Sequence, residues 1–168
     1  MREIASLVEA MDYLDEDLFI DWSGEIEEHF SPVAFDDIGR LDNSAYTYLL
    51  SLNKSNLTLS SEGIDSVIEE EDANFMEIMI SRDKLLTSVH FWQYPRGSGW
   101  QVLNTSEEPF LPDHKPMQDK FMAFAEKMNL LVLRDEDLRA EVPYEGEMVS
   151  IYYKYFDDEY ESRQEIPY

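Results

Sequence analysis

The stretch FMEIMISRDKLLTSVHFWQY, residues 75–94, contains two strand-like runs joined by a short polar segment. Residues 75–80 alternate in the manner of a strand, residues 85–94 are rich in β-branched and aromatic side chains, and residues 81–84 would form the turn between them. The turn-forming residues PRGSG (95–99) then precede the short run WQVL (100–103). The sequence therefore predicts a three-stranded antiparallel meander over residues 75–103.

Apolar residues at helical spacing surround this meander. On its N-terminal side they predict an amphipathic helix over residues 4–14 and a second helix over residues 18–30, which Gly24 weakens. On its C-terminal side, residues 115–128 form the clearest helical pattern in the chain, with Met117, Phe121, Phe124, Ala125 and Met128 on one face. These patterns place helices on both sides of a sheet in the order of the chain.

Helix boundaries are marked by capping residues. Ser31 followed by Pro32 is typical of a helix start, so we predict a short third helix over residues 31–40. Asp113 is a candidate N-cap for the helix at 115–128, and Asn129 can end that helix in a left-handed conformation.

Further strands are predicted at residues 57–59, 130–133 and 148–156, while residues 46–52 could be helix or strand. Glu145-Gly146 would form the turn before the last strand. We therefore predict an α+β fold with a mainly antiparallel sheet of about five strands and the helix at 115–128 packed on it. The prediction is a single domain over residues 1–168: a helical, acidic region at 1–41, a sheet with one helix at 46–156, and an acidic tail at 157–168.

The composition indicates a folded protein with no metal or thiol chemistry. The 168 residues are 43% apolar and 13% aromatic, whereas disordered chains of high charge contain few aromatic residues. The absence of cysteine excludes disulfides, thiolate metal sites and a cysteine nucleophile. His29, His90 and His114 do not have metal-ligand spacing, and no catalytic motif is present, so we predict a non-enzymatic protein without metal or cofactor. No leader or membrane-spanning pattern is visible, which predicts a cytoplasmic protein.

Acidic residues dominate both ends of the chain. The formal net charge is -24, from 37 acidic and 13 basic residues. Residues 1–73 contain 19 acids and 3 bases, residues 74–134 contain 7 of each, and residues 135–168 contain 11 acids and 3 bases, so the ends carry -16 and -8. Such a field repels nucleic acid and anionic membranes and attracts cationic partners. We therefore predict a basic protein as the partner.

Two stretches are candidate partner-binding surfaces. The first is the one-signed acidic run between Arg2 and Arg40, where Lys and Arg are absent. We predict that its contacts are the carboxylates Asp15, Glu16, Asp17, Asp21, Glu25, Glu28, Asp36 and Asp37. The second is the C-terminal strand and tail, where aromatic residues adjoin carboxylates in the manner of protein interfaces. Its candidate contacts are Tyr152, Phe156, Asp157, Asp158 and Tyr160.

In size, acid excess and content of tyrosine and tryptophan, the chain resembles the small acidic immunity proteins of bacterial toxin systems. The resemblance implies that it binds a basic, nuclease-type toxin and covers the active site of that toxin. Inhibitors that mimic nucleic acid share this composition, so a mimic is an open alternative. A regulatory or scaffold domain and a carboxylate-based hydrolase are further alternatives.

Overall fold

The structure, a computed structural model, describes residues 3–38, 44–53, 72–97 and 104–156. Within these ranges the strands are β1 (Phe35–Asp37), β2 (Ala45–Ser51), β3 (Ala73–Ser81), β4 (Leu86–Tyr94), β5 (Asn104–Ser106), β6 (Leu131–Val132), β7 (Glu141–Tyr144) and β8 (Glu147–Ser150). The helices are α1 (Ile4–Ala10), α2 (Trp22–Phe30), α3 (Lys115–Lys127), α4 (Asp135–Leu138) and α5 (Ile151–Tyr155), and a short 3-10 turn, Pro112–His114, leads into α3. The predicted α+β class is confirmed.

One sheet organises the molecule. Its strands follow the order β1-β2-β3-β4-β5 with antiparallel neighbours, and β6 pairs with β4 in parallel. The β3–β4 hairpin confirms the prediction made from residues 75–94, and its register sets Glu77 opposite His90. The predicted strands at 57–59 and 100–103 lie outside the described residues, and β5 begins directly after the second of these ranges.

The ambiguous stretch 46–52 belongs to β2, which pairs with β3 along seven residues. Nearly every residue of β2 is buried, because the strand is covered on both faces. A strand of this kind reads as a continuous apolar run, without the alternation that would identify it.

Helices α2 and α3 cover one face of the sheet. The amphipathic pattern of residues 115–128 predicted α3 correctly, and Phe121 and Phe124 are fully buried in the core beneath it. Trp22 and Phe30 of α2 meet Phe124 at ring-centroid distances of 6.4 and 5.7 Å. This aromatic contact holds α2 against α3.

The opposite face is covered by α1, α5 and the β7–β8 hairpin. Glu145 and Gly146 form the tight turn of this hairpin, and both have positive φ angles, 51° and 84°, as a type I′ turn requires. Val8, Val142, Val149, Ile151 and Phe156 belong to the second apolar core on this side. The sheet thus lies between two apolar cores.

A buried lysine ties α1 to the β3–β4 turn and to α5. Lys84 is 1% exposed, and its Nζ donates a hydrogen bond to Val8 O at 2.8 Å. Glu9 accepts hydrogen bonds from Lys154 Nζ at 2.8 Å and from the Tyr155 hydroxyl. Burial acts to raise the pKa of Glu9, but these bonds and the nearby ammonium charges outweigh it and lower that pKa.

Several local predictions were wrong. The helix predicted over residues 4–14 ends at Ala10, and two capping signals were misinterpreted. Residues 31–38 do not form the predicted helix: Ser31 is extended, Phe35 pairs with Leu50, and β1 results, so the region at 1–41 that was predicted to be helical contains a strand. Residues 39–40 of that prediction lie outside the described residues. Sheet pairing outweighed the capping signal of Ser31-Pro32. Asp113 is not the N-cap of α3, because it lies within the preceding 3-10 turn and His114 occupies the cap position.

The predicted strand at 148–156 is also wrong, because it ends at Ser150. The Ser150 hydroxyl accepts a hydrogen bond from Tyr153 N at 3.0 Å and so caps α5. In this helix Tyr152, Tyr155 and Phe156 fall at helical spacing and all enter the second core.

Candidate binding surface

The loop between α1 and α2, residues 11–21, is termed the acidic loop. It presents three large apolar side chains to solvent: Tyr13, Leu18 and Phe19 are 61%, 56% and 87% exposed. Single exposed apolar residues are ordinary, but several together mark an interaction site. Asp15, Glu16 and Asp17 are exposed immediately beside them. The acidic loop therefore combines apolar contact area with a dense negative charge.

Backbone hydrogen bonds hold the acidic loop in place. Leu14 N donates to Asp83 O at 2.8 Å, which fastens the loop to the β3–β4 turn. Asp15 organises the acidic turn, because its Oδ1 accepts from Asp17 N at 3.0 Å and its carbonyl accepts from Leu18 N at 2.9 Å. The Lys84 ammonium lies 4.5 Å from the ring centroid of Tyr13. The loop is thus organised before any partner arrives.

Asp21 ends the acidic loop and caps α2. Its Oδ1 accepts a hydrogen bond from Gly24 N at 3.0 Å. A Cβ atom at Gly24 would overlap the Asp21 carboxylate, so any larger residue there would force the capping carboxylate to move. The helix predicted over residues 18–30 is therefore shorter than expected: Asp21 is its N-cap, and α2 begins only at Trp22.

The predicted carboxylates of the N-terminal run are in different environments. Asp15, Glu16, Asp17, Asp21 and Glu28 are exposed, whereas Glu25 is partly buried and lies 3.4 Å from Lys127 Nζ. Because that ion pair neutralises the charge of Glu25, Glu25 contributes less to the negative electrostatic potential of the surface than the neighbouring carboxylates do.

Asp36 and Asp37 belong to β1, which is the outermost of the described strands on its side of the sheet. Burial, and then the charges of Asp37 and Asp21 among others, raise the pKa of Tyr48. The carboxylates of Asp37 and Asp21 therefore lie within electrostatic reach of one hydroxyl, which connects β1 to the start of α2.

A cavity of about 360 Å³ opens behind the acidic loop. The β2 and β3–β4 residues Tyr46, Arg82 and Asp83 form one wall, and the guanidinium carbon of Arg82 lies 4.1 Å from the ring centroid of Tyr46. The other lining residues are Tyr13, Leu14, Asp15, Glu16, Leu18, Phe19, Ile20 and Trp22. Sequence reasoning missed the first wall, because only the fold brings residues 46 and 82–83 to the loop.

The C-terminal candidate surface is not supported at its two described aromatic residues. Tyr152 and Phe156 are 3% and 0% exposed and stack on each other in the second core, with ring centroids 6.3 Å apart. Since α5 replaces the predicted strand, these side chains face inward rather than outward. Asp157, Asp158 and Tyr160 lie outside the described residues.

A second cavity, of about 520 Å³, lies beside β4 between α3 and α4. Several of its polar groups bind one another: Arg134 Nη2 donates to Glu107 Oε2 at 3.2 Å, and Gln118 Nε2 donates to Glu108 Oε2 at 3.0 Å. These bonds occupy groups that a ligand would need, so the acidic loop is the stronger candidate.

His90 is a structural residue rather than an accessible base. It is 1% exposed, and its Nε2 is hydrogen bonded to Asp135 Oδ1. Asp135 N in turn donates to Glu107 Oε1. The chain of contacts links β4 to the start of α4, and the burial of His90 keeps it from a substrate.

Comparison of the chain with protein-family models, with curated proteins and with solved structures finds no match in any of the three. Within the described ranges, His, Asp and Glu side chains nowhere form a group of three or more that could hold a metal ion. Among the helices of those same ranges, none combines the length and apolar character needed to cross a membrane. The interpretation of the site therefore depends on its own geometry.

Proposed function

We propose that this chain is a non-enzymatic, acidic binding protein that inhibits a basic partner protein through the acidic loop and the start of α2. One observation carries the proposal: Leu18 and Phe19 stand 56% and 87% exposed between the exposed carboxylates Asp17 and Asp21. An apolar centre bordered by charge is the usual anatomy of a protein interface.

The two kinds of side chain have separate tasks in this proposal. Phe19 and Leu18 would supply contact area in pockets of the partner, where buried anchors contribute most of the affinity. Asp15, Glu16 and Asp17 would attract a cationic partner over long distances and raise the association rate. The hydrogen bonds of the acidic loop reduce the entropy lost on binding.

We infer further that the partner is a nuclease-type toxin and that the chain is its immunity protein. A nuclease holds phosphate groups with Lys and Arg, and the carboxylates of the acidic loop are complementary to such a site. Occupation of that site by the loop would exclude the substrate sterically and electrostatically.

The proposal is tested by affinity capture from the source organism with three forms of the protein. The wild type is compared with Leu18→Ala/Phe19→Ala and with the control Leu111→Ala/Met148→Ala, whose target side chains are also exposed, at 40% and 53%, but lie outside the loop. A basic protein retained by the wild type and the control, and lost with the loop variant, would then be purified for kinetics. We expect the loop variant to bind it at least about 30-fold more weakly, as loss of a 2 kcal/mol anchor implies.

Two further measurements separate the alternatives. The association rate should fall steeply as ionic strength rises from about 0.01 to 0.15 M, because the Debye length shrinks from roughly 30 to 8 Å. The purified partner should cleave nucleic acid, and stoichiometric wild-type protein should stop the cleavage. A nucleic-acid mimic would depend on the carboxylates and tolerate the loop variant. An acidic partner, or equal binding by the loop variant and the wild type, would refute the proposal.

A further inference from the structure

We propose that the 360 Å³ cavity behind the acidic loop receives one arginine side chain of the partner. This inference rests on the proposed function, because it names the partner group that the same surface would engage. The volume is near the lower end of the range for ligand cavities, roughly 300–1,000 Å³. Such a space suits a single long side chain rather than an element of secondary structure.

The charges of the cavity favour a cation. Three carboxylates line it, Asp15, Glu16 and Asp83, against one cation, Arg82, so the lining carries a formal charge of -2. Asp15, Glu16 and Asp83 are all exposed to solvent in the free protein. A cationic side chain entering the cavity would therefore meet a net negative charge.

The aromatic residues favour a guanidinium over an ammonium. Arg82 already lies over the Tyr46 ring, with 4.1 Å between guanidinium carbon and ring centroid, so this chain itself uses guanidinium–aromatic stacking at the cavity. Tyr13 and Phe19 offer further ring area that is largely exposed. A guanidinium is planar, weakly hydrated and able to bind a carboxylate with two parallel hydrogen bonds, whereas an ammonium is a strongly hydrated point charge.

The apolar lining explains how a long side chain would be held. Leu18 and Phe19 line the cavity and are also the exposed residues of the acidic loop. The methylene groups of arginine pack on such surface while the guanidinium reaches the carboxylates. Apolar anchoring and charge recognition would thus occur in one contact.

The test uses small probes and the full chain, and needs no knowledge of the partner. N-acetyl-arginine amide, its citrulline counterpart and N-acetyl-lysine amide are titrated into ¹⁵N-labelled protein at an ionic strength of about 0.1 M. Citrulline is the matched control, because it has nearly the shape of arginine without the charge. We expect arginine alone to shift the amide resonances of residues 13–22, 46 and 82–83 in a saturable manner.

Two charge-matched variants locate the effect. Asp15→Asn/Glu16→Gln removes two charges from the cavity, and the amide of Asn retains an oxygen to accept the bond from Asp17 N. Glu126→Gln/Glu141→Gln removes two exposed charges from α3 and β7, away from the cavity. We expect the first to weaken arginine binding at least about tenfold and the second to change it less than about twofold, since the Debye screening of ~10 Å limits remote charges. Unchanged resonances away from the substituted positions would show that each variant is folded.

The outcomes are decisive in either direction. The arginine assignment would be overturned if citrulline or lysine caused equal shifts, or if the shifts centred on other residues. It would also be overturned if about 10 mM arginine probe caused no shift, because that concentration would reveal a dissociation constant even above 1 mM. If the partner still depends on Leu18 and Phe19 in that case, the proposed function stands without this inference. If the probe binds the cavity but the partner binds the loop variant Leu18→Ala/Phe19→Ala as tightly as the wild type, the proposed function fails instead.

Discussion

Replacement of Lys84 by methionine should destabilise the protein by roughly 2–4 kcal/mol. Lys84 Nζ donates to Val8 O at 2.8 Å and to Glu9 O at 3.4 Å, and it lies 3.9 Å from the Glu9 carboxylate. These carbonyls belong to the C-terminal turn of α1, where the helix dipole favours a cation. Methionine retains most of the volume of lysine but donates no hydrogen bond, so the change isolates the polar contribution.

The magnitude follows from three effects. A hydrogen bond from a charged group contributes about 1.5–3 kcal/mol, and a cation at a partly buried helix C-terminus contributes up to ~2 kcal/mol. In the opposite direction, methionine avoids the desolvation of an ammonium whose side chain is only 1% exposed, and this offsets part of the lost free energy of unfolding. The net effect corresponds to a fall in melting temperature of roughly 4–16 °C for a chain of this size.

The assay is urea unfolding of wild type, Lys84→Met and the control Lys120→Met. Lys120 is exposed on α3, so its replacement makes the same change in net charge and should alter the free energy of unfolding by less than about 0.5 kcal/mol. A loss at Lys84 no larger than at Lys120 would refute the reasoning. A stabilised Lys84→Met protein would mean that the desolvation of the ammonium exceeds the value of its bonds.

Three further predictions concern other positions. Because the pKa of Glu9 in the folded protein lies below its ordinary value of 4.5, its stabilisation is full above that pH and is lost as the pH falls through the lowered pKa. The difference in unfolding free energy between wild type and Glu9→Gln should therefore shrink in acid, and a pH-independent difference would contradict the assignment. Tyr152→Ala should lose about 3–5 kcal/mol of stability by urea unfolding, as expected for a buried aromatic residue, whereas Met148→Ala at the exposed surface should lose little; equal losses would place Tyr152 outside the core. Gly24→Ala should displace the Asp21 cap, and the loss of about 1 kcal/mol should cancel the gain of about 1 kcal/mol in helix propensity, so urea unfolding should show little change; a variant about 1 kcal/mol more stable would show that the cap is dispensable.

The elements of the fold that sequence predicted are those with a strong local period. The β3–β4 hairpin has two strand-like apolar runs joined by a polar turn, and α3 has an apolar stripe over three turns, so each pattern has one interpretation. Residues 148–156 have two interpretations, because a short run of Ile, Val and Tyr is typical of a strand, whereas Ser150 is typical of a helix N-cap. Burial of Tyr152, Tyr155 and Phe156 in the second core selects the helix, and that core exists only once the fold has formed.

The candidate site shows the same limit. Composition alone identified Asp15, Glu16 and Asp17, because charge needs no structure to be counted. Leu18 and Phe19 were assigned to the apolar face of a helix, and only the late start of α2 exposes them. The three consecutive acidic residues directly before Leu18, Asp15 to Asp17, were a signal that the helix starts later. Arg82 had no such signal, since its place at the cavity depends on the position of the β3–β4 turn.

The short strand β1 has a consequence for the protein at high concentration. Among the described strands it is the outermost on its side of the sheet, and two of its three residues are Asp36 and Asp37. A strand of a second molecule could form few backbone hydrogen bonds with β1, because β1 is short. The carboxylates of Asp36 and Asp37 would also repel the acidic residues of the second molecule. On the other side, β5 and β6 share the margin of β4 and leave little of it open. We therefore expect the sheet to resist edge-to-edge aggregation, so that the molecule can accumulate in the amounts that the proposed stoichiometric inhibition would require.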